Sequence, residues 1–195
     1  MSSLRSGYIK TNFTIMTPRL FEKYKAEVAP LLQEQFTYKS KMQTPRITKV
    51  VINVGIGRLV KDSKLVEKIE SDIEKIAGQK PVLTKSKKSI AGFKLREGLE
   101  IGVVVTLRRK RMYDFLDRLI SVALPRSRDF QGIPLSAVDQ NGNLNIGIRE
   151  QTIFPEVSYE SLKEIFGFQV TVVTTAKTKE EGFKLFQALG VPLKK

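Results

Sequence analysis

Between Lys75 and Arg96 the chain carries seven cationic side chains, Lys75, Lys80, Lys85, Lys87, Lys88, Lys94 and Arg96, and no Asp or Glu. An ordinary core element does not tolerate that density of one-signed charge. The stretch GQKPVLTKSKKSIAGFKLREG, Gly78 to Gly98, therefore reads as a basic loop, Lys85 to Gly92, between short strands around Pro81 to Thr84 and Phe93 to Leu95. Its charge needs a partner from outside. A solvated run would interleave both signs along a helix face. Cations with Thr84, Ser86, Ser89 and Phe93 among them suit phosphate oxygens and stacked bases better.

The formal net charge of the 195 residues is +14. Met1 to Arg111 carries 24 basic and 10 acidic residues, whereas Met112 to Lys195 carries 10 of each. The whole excess sits in the first part, which favours a polyanion-binding patch over diffuse solubilising charge. A membrane surface fits poorly, because the basic region lacks the apolar face of an amphipathic helix and no apolar run has the length of a span. The chain has no Cys and no His. That removes thiolate and imidazole as nucleophile, general base and metal ligand, and no metal or cofactor is expected. The absence of Cys fits a reducing compartment. Residues 1–15 lack the apolar core of a secretory signal and read as a flexible extension, leaving 16–195 as a single domain.

Thr17-Pro18 is a helix-start signature, and Leu20, Phe21, Tyr24, Val28, Leu31, Leu32 and Phe36 follow at helical spacing, with a bend expected near Pro30. Ile47 to Val54 is rich in β-branched residues and reads as a buried strand, in which Asn53 needs a partner or faces a ligand. Gly55-Ile56-Gly57 has Val60 at the third glycine position of a dinucleotide fingerprint, so it reads as a turn. A helix is expected from Ser63 to Ala77, closed by Gly78, with Leu65, Val66, Ile69, Ile73 and Ile76 inward and Glu67, Glu70, Asp72, Glu74 and Lys75 outward. Glu100 to Arg108 alternates: Ile101, Val103, Val105 and Leu107 face the core, and Gly102, Val104, Thr106 and Arg108 face a polar, anionic covering. A helix then runs to Leu124 and stops at Pro125. Residues 125–145 read as a long ordered loop with a hairpin at Asn141-Gly142. Asn143 to Ile148 and Phe168 to Thr174 are strands, and Thr178 to Glu181 opens a last helix that Gly190 ends. The mixture gives an α+β fold, an antiparallel-rich mixed sheet with helices on one face.

Five blocks in order resemble the family of large-subunit ribosomal protein five in its bacterial and organellar form: PRITKVVINVGIG, the basic stretch, VTLRRKRMYDFLDRLISVALPRSRDF, REQTIFPE and VVTTAKT. The resemblance runs from about Pro45 to Leu193. It implies a non-enzymatic constituent of the large ribosomal subunit, on cytoplasmic ribosomes or those of an organelle such as the plastid stroma. It further implies a sheet surface laid on 5S rRNA in the central protuberance, with 23S-type rRNA and neighbouring ribosomal proteins as further partners. Carried over by residue, Arg46, Asn53, Gln79, Lys80, Thr106, Arg108 and Arg109 would meet 5S rRNA. Lys85, Lys87, Lys88, Phe93 and Lys94 would lie on a loop reaching P-site tRNA. Arg126, Arg128, Asp139 and Asn141 would belong to a bridge to a protein of the small-subunit head. Where the family usually reads SFDGRGNY this chain reads AVDQNGNL, Ala137 to Leu144, and FGFQ, Phe166 to Gln169, replaces the usual RGMD. An enzyme built on Gly55 to Gly57 or on Ser86-Lys87, and a generic basic chaperone or double-strand binder, are the competing readings.

Overall fold

The computed structural model describes residues 17–57, 59, 62–93, 95–128, 130–157 and 165–194. The expected extension over residues 1–15 lies outside them. Five strands, β1 (Ile47–Gly55), β2 (Val82–Lys85), β3 (Glu100–Leu107), β4 (Leu144–Ile148) and β5 (Phe168–Thr174), form one sheet in the order β2-β3-β1-β5-β4. Every neighbouring pair is antiparallel. The most β-branched segment, β1, is central because it can bury its Val and Ile side chains between two partners.

Among the described residues four helices cover one face. α1 (19–35) is built of Arg19–Lys23, a π turn Tyr24–Val28 and Ala29–Gln35. α2 is Ser63–Ala77, and α3 (109–126) joins Arg109–Arg118, a π turn Leu119–Ala123 and Leu124–Arg126. α4 is Lys179–Leu189. Val50, Ile52 and Val54 of β1, Val103, Val105 and Leu107 of β3, and Phe168, Val170 and Val172 of β5 are buried in one cluster with Ile69, Ile73, Phe115, Leu119, Leu185 and Phe186 from the helices. The Phe154 ring bridges Phe115 and Phe168, 5.9 Å from each. The alternate strand positions face away from the helices.

Several local expectations change. Pro18 itself occupies the cap position of α1, and the Thr17 hydroxyl bonds the Glu22 carboxylate instead of capping. In α1 and α3 alike, a π turn directly precedes the proline-containing last segment. The wider turn makes room for the ring and the missing N–H, so Pro125 does not stop its helix, which continues to Arg126. Phe93 to Leu95 is not a strand: Ala91–Phe93 is a 3₁₀ turn and Ile90 and Leu95 form an isolated bridge, because β2 takes β3 as its partner. Asp72 is not outward. It is 2% exposed, on the same arc of α2 as Ile69, Ile73 and Ile76, with Lys75 Nζ 3.6 Å from its Oδ1.

Candidate nucleic-acid interface

The open face of the sheet is set by strand register. Across it runs a row of Val82, Val104, Asn53, Gln169 and Gly147, one from each strand, and beside it Thr106, Val51, Thr171 and Asn145. Asn53 is exposed in the middle of this face, as a ligand-facing amide would be. None of these positions carries a charge or an aromatic ring. At Gly102 a Cβ would lie 2.7 Å from Thr84 Oγ1 and 3.8 Å from Asn53 Oδ1, so the missing side chain lets both polar groups lean across β3. Gln169, Thr171 and Asn145 escaped the sequence reading, although the alternation of β5 that buries Phe168, Val170 and Val172 dictates their direction.

Cations rim one end of this face. β1 begins where β3 ends, with Val50 opposite Leu107, which brings Arg46 and Arg108 to the same end. The Arg46 N–H donates to Thr175 Oγ1 at 3.0 Å and the Thr175 N–H to the Arg46 carbonyl at 2.9 Å, so the backbone beneath that guanidinium is held firmly. Arg46 also lines a cleft of about 460 Å³ with Tyr38, Met42, Gln43, Thr175, Lys177 and Glu181. Arg109 opens α3 at φ +53°, a conformation L residues adopt at a cost of order 1 kcal/mol, and both it and Arg108 are exposed. Gln79 ties Gly78 and the exposed Lys80 to this end: its Nε2 donates to the Thr106 carbonyl at 3.5 Å, and its Oε1 accepts from Arg111 Nη1 at 3.2 Å. Arg111 is a fourth arginine here that motif matching did not single out.

The basic loop leaves the other end. β3, eight residues long, separates the two by roughly 24 Å. Ser86 is only 8% exposed, and its hydroxyl donates to the Lys88 carbonyl at 2.8 Å. Ser89 Oγ accepts from the Glu97 N–H at 3.0 Å, and the Ser86 N–H donates to the Leu99 carbonyl at 2.8 Å. Both hydroxyls therefore brace the loop; buried Ser86 spends its O–H on the Lys88 carbonyl and is not open to phosphates, which corrects the sequence reading there, whereas exposed Ser89 accepts one bond and keeps its O–H to donate. A buried Ser86 engaged with a carbonyl is also no nucleophile. What the loop offers outward is Lys85, Lys87, Lys88, Ser89 and Phe93, a residue 75% exposed. Lys94 lies outside the described residues.

Asp139 belongs to a tight turn. Its carboxylate accepts from the Asn143 N–H at 2.7 Å and from Asn143 Nδ2 at 2.9 Å. Burial pushes this carboxyl up, but the bonds from Asn143 and Asn141 outweigh it and hold it below the usual carboxylate range. Asn141, Arg126 and Arg128 are exposed, and no hydrogen bond or ion pair joins either arginine to the turn. Among the described residues no group of three or more acidic side chains is placed to hold a metal ion. Neutral donors in the middle and cations at the ends equip this surface for binding a polyanion.

The family model described as ribosomal protein L5 matches residues 40–96, and the model for the C-terminus of the same ribosomal family matches residues 100–193. The curated large ribosomal subunit protein uL5 of Streptococcus thermophilus is 51% identical over 180 residues, 92% of this chain and 100% of that protein. Its namesake from Herpetosiphon aurantiacus is 54% identical over 176 residues, 90% of this chain and 98% of the relative. That from Chloroflexus aggregans is 51% identical over 179 residues, covering 92% and 99%. The two matched regions meet between β2 and β3 and together supply all five strands of the open face. The chain thus belongs to the ribosomal protein L5 family, whose members are structural proteins of the large ribosomal subunit and not enzymes.

Proposed function

We propose that this protein binds 5S rRNA in the central protuberance through the open face of its sheet, presents the Lys85, Lys87, Lys88, Phe93 and Lys94 loop to P-site tRNA, and meets a small-subunit head protein through Arg126, Arg128, Asp139 and Asn141. The observation that carries the reading is a sheet face that none of the described helices covers, with the uncharged polar groups of Asn53 and Thr106 at its middle and Arg46, Arg108 and Arg109 at its border. Arginines at the rim neutralise phosphates and position the RNA, while amides and hydroxyls on the face read its shape. Lys80, close to the Gln79 link, adds to the rim, and 23S-type rRNA and neighbouring central-protuberance proteins complete the surroundings. The relatives compared are bacterial, which supports a cytoplasmic ribosome over an organellar one. The bridge rests on the exposure of Arg126, Arg128 and Asn141, with Asp139 shaping the turn that presents Asn141.

The test is binding of purified protein to 5S rRNA across a salt series, with an unrelated structured RNA of equal length as competitor. If about six phosphates are neutralised, log affinity falls against log salt with a slope of roughly −4 to −5 and the complex resists the competitor. Binding that the competitor abolishes reduces the protein to a generic basic binder.

A further inference from the structure

Asn145 of β4 sits on the open face directly across from Thr171 of β5. Its Oδ1 accepts from Thr171 Oγ1 at 2.8 Å and from Gln169 Nε2 at 3.5 Å. An amide whose oxygen is engaged by two neighbours is held in one orientation, and its Nδ2 then carries two N–H donors. Among the described residues no protein acceptor takes them. Strand register places Asn145, Thr171, Val51 and Thr106 in one line over β4, β5, β1 and β3. At the usual strand spacing Asn145 and Thr106 are roughly 14 Å apart on one surface.

We infer that Asn145, oriented by Thr171 and Gln169, is an RNA-binding position, and that the RNA footprint extends over β5 to the β4 edge. The occupant is the minor-groove side of an RNA helix. The rows through Asn53 and through Asn145 have no ring on which a splayed base could stack and no charge, the open-face cation Lys49 lying beyond them toward Arg46, whereas neutral donors over small side chains match the ribose 2′-hydroxyls and base acceptors of a wide, shallow A-form minor groove. The inference rests on the proposed 5S reading and deepens it.

Asn145→Asp keeps the Oδ1 acceptor that Thr171 and Gln169 need but replaces the outward donors with an anionic acceptor. Asn145→Ala removes the donors without adding charge. Gln187→Glu, at an exposed position of α4, is the matched control for a change of one charge. The measurements are 5S rRNA affinity over a salt series and hydroxyl-radical footprinting of the RNA at saturating protein. Asn145→Ala should weaken binding by about 5- to 10-fold with an unchanged salt slope, since a neutral amide releases no counterion, whereas Arg108→Ala should lower the slope by about one. Asn145→Asp should weaken it further, Gln187→Glu should match wild type, and the riboses facing β4 should lose protection in both Asn145 variants. Wild-type affinity and an unchanged footprint in both Asn145 variants, with Arg108→Ala still impaired, overturn this inference and leave the 5S reading standing. Wild-type protein that an unrelated RNA strips from 5S rRNA overturns the reading itself.

Discussion

Glu181 does two things in the first turn of α4. Its N–H donates to Thr178 Oγ1 at 3.3 Å, and its carboxylate accepts from the Lys177 N–H at 2.8 Å. Burial raises this carboxyl, but the nearby Tyr38 hydroxyl, the Lys177 and Thr178 backbone N–H groups and the Lys177 charge together hold it below the usual range. A carboxyl lowered by folding contributes stability that is present above its unfolded value, near pH 4.3, and lost as pH falls through its folded value. Glu181→Gln should therefore lower Tm at pH 7, and the gap to wild type should close as pH drops below about 4. Thermal melts showing a constant gap between pH 7 and pH 3 contradict this assignment. The Thr178 cap was readable from the Thr178-to-Glu181 spacing, and Asn53 from its place among Val and Ile. Asp72 was not readable: helical spacing puts it at the boundary of the buried arc, and only the packing of α2 decides the side.

α4 packs against the turn before β4 through a contact between two glycines. A Cβ on Gly182 would lie 2.5 Å from the Gly142 Cα and 2.6 Å from its carbonyl oxygen, and Gly142 itself turns at φ +73°. These are backbone atoms that no rotamer change can move. Gly182→Ala should cost about 2 to 3 kcal/mol despite the gain in helix propensity, measured by urea denaturation. A stabilised variant would show that the turn yields easily. Elements whose period matched their burial, β1, β3, β5, α2 and α4, were legible within about a residue. Phe93 to Leu95 was not, because β-pairing is non-local: β2 finds its partner in β3, and the intervening residues close on themselves through Ile90 and Leu95. Ser86 was misread for a similar reason: a serine among lysines suits phosphate, but the loop's own Lys88 carbonyl takes its hydroxyl first.

Over the whole molecule, the two matched regions are not independent. β1 lies in the first, and both of its neighbours, β3 and β5, lie in the second. A single cooperative domain over residues 16–195 is proposed on this ground. A fragment of residues 40–96, which leaves both edges of β1 bare, should show no cooperative thermal transition by circular dichroism; a sharp one contradicts the proposal. The same sheet separates two cationic ends, Arg46, Arg108 and Arg109 at one and the Lys85 to Phe93 loop at the other, and the account rests on their serving different RNAs. The direct measurement compares 5S rRNA affinity of Arg108→Ala with that of Lys87→Ala combined with Lys88→Ala. Arg108→Ala should lose about 1 to 3 kcal/mol of binding free energy, while the double lysine variant keeps 5S affinity and loses tRNA retention on assembled ribosomes. Equal loss of 5S affinity in both would contradict the division of this protein into a 5S-binding sheet face and a separate projecting loop.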